Sequence, residues 1–341
     1  MPNQSRPEIS RRNKTIAYIT ATVVAITALL LVILHHNPLA DPQEELTKKI
    51  LAVSVVTVAY IAFMLLYARM AYLPIELWQN RKLIWKLAKN DFKTRYAGSY
   101  MGRIWAFIQP VVTVALYYFV FEVVFQSRAQ LVASGVKASY VMWLTAGLVP
   151  WLYFTEALTN GTNALIGYNY LVKKVVFKIS ILPIIKMISA TFIHIFFVAV
   201  MLIMYFFIYG YRPDVYVLQV FYYSFCTFAF SLSLSYSTCA IVVFFRDLNQ
   251  IIGIVLQIGM WATPILWSLT LLSENHAKFS LIFRLNPLYY VVNGYRACLF
   301  NNTWFWQDFY TTVYFWVVTA IVFGIGCLIF KKLKPHFADI L

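Results

Sequence analysis

The feature that most constrains this chain is a succession of apolar runs close to twenty residues long, at 16–34, 50–68, 104–125, 140–167, 187–209, 215–245, 251–272 and 309–330. A helix rises 1.5 Å per residue, so about twenty apolar residues cross the ~30 Å hydrocarbon core of a bilayer. Inside that core each backbone N–H and C=O must find a partner in the chain itself, and runs of this length satisfy the demand as helices. Composition agrees. With 61% hydrophobic and 12% charged residues, there is too little polar surface to cover a water-soluble globule. The reading is an all-α polytopic membrane protein with eight spans. The run at 16–34 is full span length and is followed by His35-His36-Asn37-Pro38, a poor cleavage site, so it reads as a span and not as a secretory signal.

Charge orients these spans. Of the 28 Lys and Arg, 20 fall on the side shared by both termini, the stretch after the second run, residues 169–186 and Arg246, and only eight fall opposite. The positive-inside rule then puts both termini in the cytoplasm. The net charge of +15 is thereby a topology signal that attracts anionic membrane lipid and needs no nucleic-acid partner.

The division expected is a tail at 1–15, a transmembrane hairpin at 16–72, an interfacial amphipathic helix at 77–100, a transmembrane domain at 103–330 and a tail at 331–341. In the amphipathic stretch Ile84, Ala88, Phe92 and Tyr96 recur every four residues on one face while Lys82, Lys86, Lys89 and Lys93 mark another. Such a helix lies in the interface with its apolar face in the headgroup boundary, and Lys89, Lys93, Arg95 and Arg103 are placed to receive an anionic lipid headgroup. After Gly98 and Gly102 the pattern becomes that of a span. Residues 273–308 mix apolar pieces too short to cross with Asn286-Pro287, Gly294 and Arg296, which fits re-entrant helices.

No catalytic constellation is present in the sequence. Glycine is never followed by lysine, so there is no Walker A phosphate loop, and no paired acids form a metal–nucleotide site. Five histidines are scattered without ligand spacing; His194 reads as a packed helix residue. The four cysteines, also scattered, read as packing residues with neither disulfide nor zinc implied. No metal and no cofactor are expected in this chain. If the chain moves something against a gradient, the energy must come from a partner, or from an ion gradient coupled through acids in the membrane. Glu156 is the acid placed for that alternative, an ion-coupled flippase or carrier of lipid-linked sugars. At mid-span its charge costs about 2.5–3.5 kcal/mol, so it should face the protein interior or water. Glu122 lies near the end of its span. A membrane glycosyltransferase would need an acid cluster that the sequence lacks.

Aromatics are 18% of the chain. Tyr117, Phe121 and Phe125 share one helical face, and Trp261 and Trp267 add further rings. Aromatic planes pack against the apolar C–H faces of sugars without one fixed geometry, which suits a sliding polymer; plain helix packing is the competing reading.

Five blocks stand in order: KNDFKTRYAGSYMGRIWAFIQP (89–110), VPWLYFTEALTNGTNAL followed by LVKKVVFKISILP (149–183), FFRDLNQI (244–251), ATPILW (262–267) and LNPLYYVVNGYR (285–296). Together they resemble the ABC-2-type permeases that export polysaccharides such as O-antigen, capsule and wall teichoic acid. The resemblance implies a homodimeric six-span core in the bacterial inner or plasma membrane, bound to two copies of a separate cytoplasmic ATPase that carries the ATP and magnesium. It implies that the loop at 169–186 docks on the ATPase through Lys173, Lys174, Val175, Phe177 and Lys178, with Arg246 and Asp247 on the same side. It further implies an outer re-entrant gate at Asn286, Pro287, Tyr289, Tyr290 and Arg296. The path for a polyprenyl-pyrophosphate-linked polysaccharide or teichoic acid would run between protomers, past Tyr117, Phe121, Phe125, Glu156, Trp261 and Trp267. The chain departs from the pattern at Lys178, where the family commonly has proline, and in its hairpin at 16–68, which lies outside the usual core.

Overall fold

In a computed structural model the apolar runs are helices; residues 11–34, 42–70, 72–95, 98, 100–126, 130–131, 137–173, 177–212, 214–269 and 277–341 are described. Two long helices, α1 (Arg11–Leu34) and α2 (Pro42–Met70), form the hairpin. The amphipathic stretch is two helices, α3 (Tyr72–Gln79) and α4 (Arg81–Thr94), with a jog at Asn80. Next come α5 (Trp105–Tyr117), which widens into a π-helix at Tyr118–Val124, and a two-residue antiparallel pair, β1 (Gln130–Leu131) with β2 (Lys137–Ala138). The bundle continues with α6 (Tyr140–Thr162), the single turns α7 (Ala164–Gly167) and α8 (Asn169–Val172), α9 (Leu182–Ile203) and α10 (Gln219–Val242). Then follow α11 (Leu248–Ala262), the short α12 (Ala277–Arg284) and α13 (Pro287–Arg296), α14 (Phe309–Leu333) and a final turn, α15 (Phe337–Ile340).

The centre of the bundle is α6. It is the least apolar of the candidate spans, yet 83% of its window is buried, against 6% for α1 and 11% for α5. That inversion is what a membrane solvent demands: helices facing lipid must be apolar all round, whereas a helix wrapped by protein can carry Thr145, Thr155 and Thr162 as long as each finds a partner. Thr145 and Thr155 return their hydroxyls to the carbonyls of Val141 and Trp151, and Thr162 meets Thr238 of α10 at 2.8 Å. Pro150 lies inside α6, which is continuous through it and ends only at Asn163.

Two packed clusters divide the bundle along its length. One gathers α3, α4, α7, α8, α15 and the adjoining turns of α9 and α10, around Ile84, Ala88, Leu165, Leu182, Tyr236 and Phe337. We call this the near end. The other, at the far end, joins the first turns of α6 and α10 to the last of α9 and to α13.

Six helices of the described residues are long and apolar enough to cross a membrane, including α1 but not α11. The expected span at 251–272 is therefore corrected. At 15 residues α11 reaches only about 22 Å. It stops because Pro264 lacks an N–H and forces Thr263 out of the helical region, to φ −95°, ψ 118°. The chain then runs on without regular structure from Thr263 to Ser268. Residues 50–68 lie within the 29-residue α2, long enough to cross by length, which packs along α14. Thr22 and Tyr60 join α1 to α2 at 2.9 Å.

Candidate functional site

The described residues hold two polar clusters, one at each end of α6. From Trp143 to Glu156 that helix advances about 20 Å.

At the near end α4 carries Asp91 and, four residues on, Arg95, so both project from one face. The phenol of Tyr168 and the ammonium of Lys186 each donate to Oδ1 of Asp91 at 2.5 Å. Lys186 also lies 4.7 Å over the ring of Tyr168. Burial, and then the hydrogen bond and charge of Asp91, push the Tyr168 phenol well above its ordinary value, so it stays a donor at any physiological pH. Arg95 pairs with Glu156 of α6. Asp91, Thr94, Arg95, Asn160 and Lys186 line a polar cavity of about 130 Å³. A short way on, Asn163 and Asn249 exchange amide hydrogen bonds at 3.0 and 3.1 Å, tying the end of α6 to the start of α11 beside the exposed Arg246 and Asp247.

This arrangement alters the expectation for the amphipathic helix. Ile84 and Ala88 are buried against the protein, in the cluster that holds Leu182 and Ile185 of α9, instead of facing the headgroup boundary. Lys82, Lys86, Lys89 and Lys93 are exposed, as are Trp78, Leu83 and Trp85, which form the surface left for lipid; Lys89 sits 5.1 Å over the Trp85 ring. Tyr96 lies outside the described residues, and so does the side chain of Arg103. In the loop, Lys173 and Lys178 are exposed and Phe177 is half-buried, while Lys174 and Val175 fall outside the description. The stretch expected as a loop up to residue 186 is shorter, because α9 begins at Leu182 with Pro183 in its first turn, where a missing N–H costs nothing.

At the far end α13, with its π-helical continuation Ala297–Asn301, packs against α6, α10 and α14. Arg296 is 5% exposed, and no carboxylate among the described residues touches it. Its guanidinium donates to three carbonyls, those of Trp143 (3.3 Å), Pro264 (2.7 Å) and Ile265 (2.6 Å), and stacks 3.4 Å from the Trp143 ring. Two of those carbonyls belong to the stretch that Pro264 breaks out of α11, so the arginine supplies the donors that helix would have provided. Space for it comes from Gly147, where a Cβ would stand 2.8 Å from Nη2. Asn286 caps α13 by accepting from the Leu288 N–H and donates to Thr263 Oγ1 at 2.7 Å. Tyr140 adds a bond to the Leu266 carbonyl at 2.8 Å.

The other predicted residues fall as follows. Pro287 opens α13, Tyr289 is half-buried, and Tyr290 is buried, hydrogen-bonded to Tyr222 and Thr312 and stacked on Phe315. Tyr117, Phe121 and Phe125 do form a continuous ladder of rings 6.0 and 5.8 Å apart, but Phe121 leans on Tyr140 of α6, so part of the stripe is helix packing. Glu122 accepts from Ser139 at 2.9 Å. Trp261 is exposed on α11, and Trp267 donates to its carbonyl at 3.1 Å. His194 is a packed residue: it stacks on Tyr153 and hydrogen-bonds Ser224 and Tyr295. Asp91, Tyr168, Lys186, Asn163 and Asn249 had escaped the sequence reading. One signal was available, since Asp91 is the sole acid between Glu76 and Glu122.

The bundle of apolar helices carries a basic amphipathic helix at one end and the short helices α12 and α13 at the other, and the family profile for the ABC-2 type transporter matches residues 82–300. The chain belongs to that family and is a multi-pass membrane protein. Among curated relatives, two O-antigen export system permease proteins RfbA of Klebsiella pneumoniae are 29% and 30% identical over 258 residues, which is 75% of this chain and 93% of theirs. The O-antigen export system permease protein RfbA of Myxococcus xanthus is 27% identical over 264 residues, 77% of this chain and 97% of its own length. The hairpin of α1 and α2 precedes the matched family region.

Proposed function

We propose that this chain is the permease subunit of an ATP-driven exporter that carries a lipid-linked polysaccharide of the O-antigen class from the cytoplasmic face across the bacterial inner membrane. The observation that carries the reading is the match to three O-antigen export permeases over nearly their whole length. The near end then faces the cytoplasm together with both termini. Two copies of the chain pair through exposed apolar faces such as that of α11, where Ile251, Ile254, Val255, Ile258 and Trp261 are uncovered. A separate ATPase, holding ATP and magnesium, docks on the loop containing Lys173, Lys174, Val175, Phe177 and Lys178, beside Arg246 and Asp247. Exposed Lys89 and Lys93 receive the anionic pyrophosphate headgroup, while Arg95 is engaged with Glu156 and positions α4 instead. The substrate that co-purifies with the complex tests the polymer's chemistry, with an O-antigen polysaccharide expected and a capsule or teichoic acid polymer the contrary result.

Replacing Lys173 and Lys174 together with Glu tests the docking loop. Export is expected to fall by about tenfold or more, as when a charged contact is reversed across an interface, while the chain still inserts in the membrane. Normal export by the double variant contradicts the assignment.

A further inference from the structure

The near-end cluster joins pieces that the sequence keeps far apart. Tyr168 stands immediately before α8 and Lys186 in the first turns of α9, so the two bracket the loop between them. Both donate to a single oxygen of Asp91 on α4 at 2.5 Å, and they touch each other through the cation–ring contact at 4.7 Å. Asp91 is 7% exposed. The groups facing it are Tyr168 and Lys186, with Arg95 one turn along its own helix and committed to Glu156. Every other charge on α4 is basic, so an acid there weakens the attraction for anionic lipid; its partners are within the protein.

From this juxtaposition we infer that Asp91 is a positioning residue that pins the chain on both sides of the α8–α9 loop to the interfacial helix, making α4, the start of α8 and the start of α9 move as one body. The inference rests on the docking role proposed for that loop. A push on the loop cannot be taken up by spreading its base, because both ends hold the same carboxylate oxygen. The displacement passes instead to α4 through Asp91 and on to α6 through the Arg95–Glu156 pair.

Two measurements on the full-length chain test this. In the first, spin labels at Lys82→Cys and Tyr170→Cys, both on exposed positions, report the separation of α4 from the loop in the permease alone. A single narrow distance is expected with Asp91 present, and a broad or split one in Asp91→Asn. Equal widths in the two overturn the inference, whatever the chain transports. In the second, the permease is reconstituted with its ATPase, and polymer exported per ATP hydrolysed is measured. Asp91→Asn should lower that ratio about tenfold while hydrolysis stays within about twofold, and the swap Asp91→Lys with Lys186→Asp should restore most of it, as expected for a coupled charge pair. Tyr168→Phe, which removes one hydrogen bond and no charge, should give a smaller loss in the same direction. A proportional fall of hydrolysis and export, with no rescue by the swap, marks a merely structural contact and overturns the inference. A wild-type complex without export refutes the functional proposal instead, and the distance measurement still decides the clamp.

Discussion

Arg296 brings an uncompensated positive charge into the protein interior and makes it tolerable by donating to three carbonyls and covering a tryptophan face. Its value lies in what its absence would leave behind. Arg296→Met would orphan the carbonyls of Pro264 and Ile265 in an apolar setting, and losing hydrogen bonds to a charged donor costs about 1.5–3 kcal/mol each. We expect a stability loss of about 3–5 kcal/mol, read as a fall of several degrees or more in the thermal midpoint of the detergent-solubilised protein. Arg296→Lys keeps the charge but offers no planar fork, so it should recover only part of the loss. An unchanged midpoint for Arg296→Met would contradict this account.

Among the elements, α13 shows how closely a short helix packs on its supports. At Gly294 a Cβ would stand 2.1–2.5 Å from three atoms of the Tyr223 ring on α10, a ring already hemmed by Tyr290 and Tyr295. Gly294→Ala should therefore cost about 1–3 kcal/mol by overpacking, and Gly294→Ala with Tyr223→Leu should regain part of it. Equal midpoints for the single variant and wild type would show that α13 does not sit against α10 as described. The long helices were legible in the sequence, because a span announces itself by length and apolarity and needs no partner to be recognised. The short α11 was legible only in part: Pro264 was visible, but the break it causes is stable because Arg296, 32 residues away, satisfies the freed carbonyls. The clamp at Asp91 was not legible, since its partners lie 77 and 95 residues on and pairing at that range leaves no local pattern. The aromatic stripe was read correctly as one face of a helix, yet periodicity cannot say whether a face meets a neighbour or a path, and Phe121 meets Tyr140.

For the whole molecule, the two polar clusters sit toward opposite ends of α6, the most enclosed of the candidate spans among the described residues. Glu156, paired with Arg95, and Trp143 and Gly147, set against Arg296, therefore belong to one continuous helix. The hairpin of α1 and α2 stands outside this line, against α14. The central claim is that motion along this line is driven by ATP on a separate subunit. The most direct measurement is transport of a labelled lipid-linked O-polysaccharide into the lumen of proteoliposomes holding the full-length permease with and without its ATPase. Transport that requires both the ATPase and ATP, and that survives collapse of ion gradients, is the predicted result. Transport driven by a proton gradient with no ATPase present, and abolished by Glu156→Gln, would contradict it.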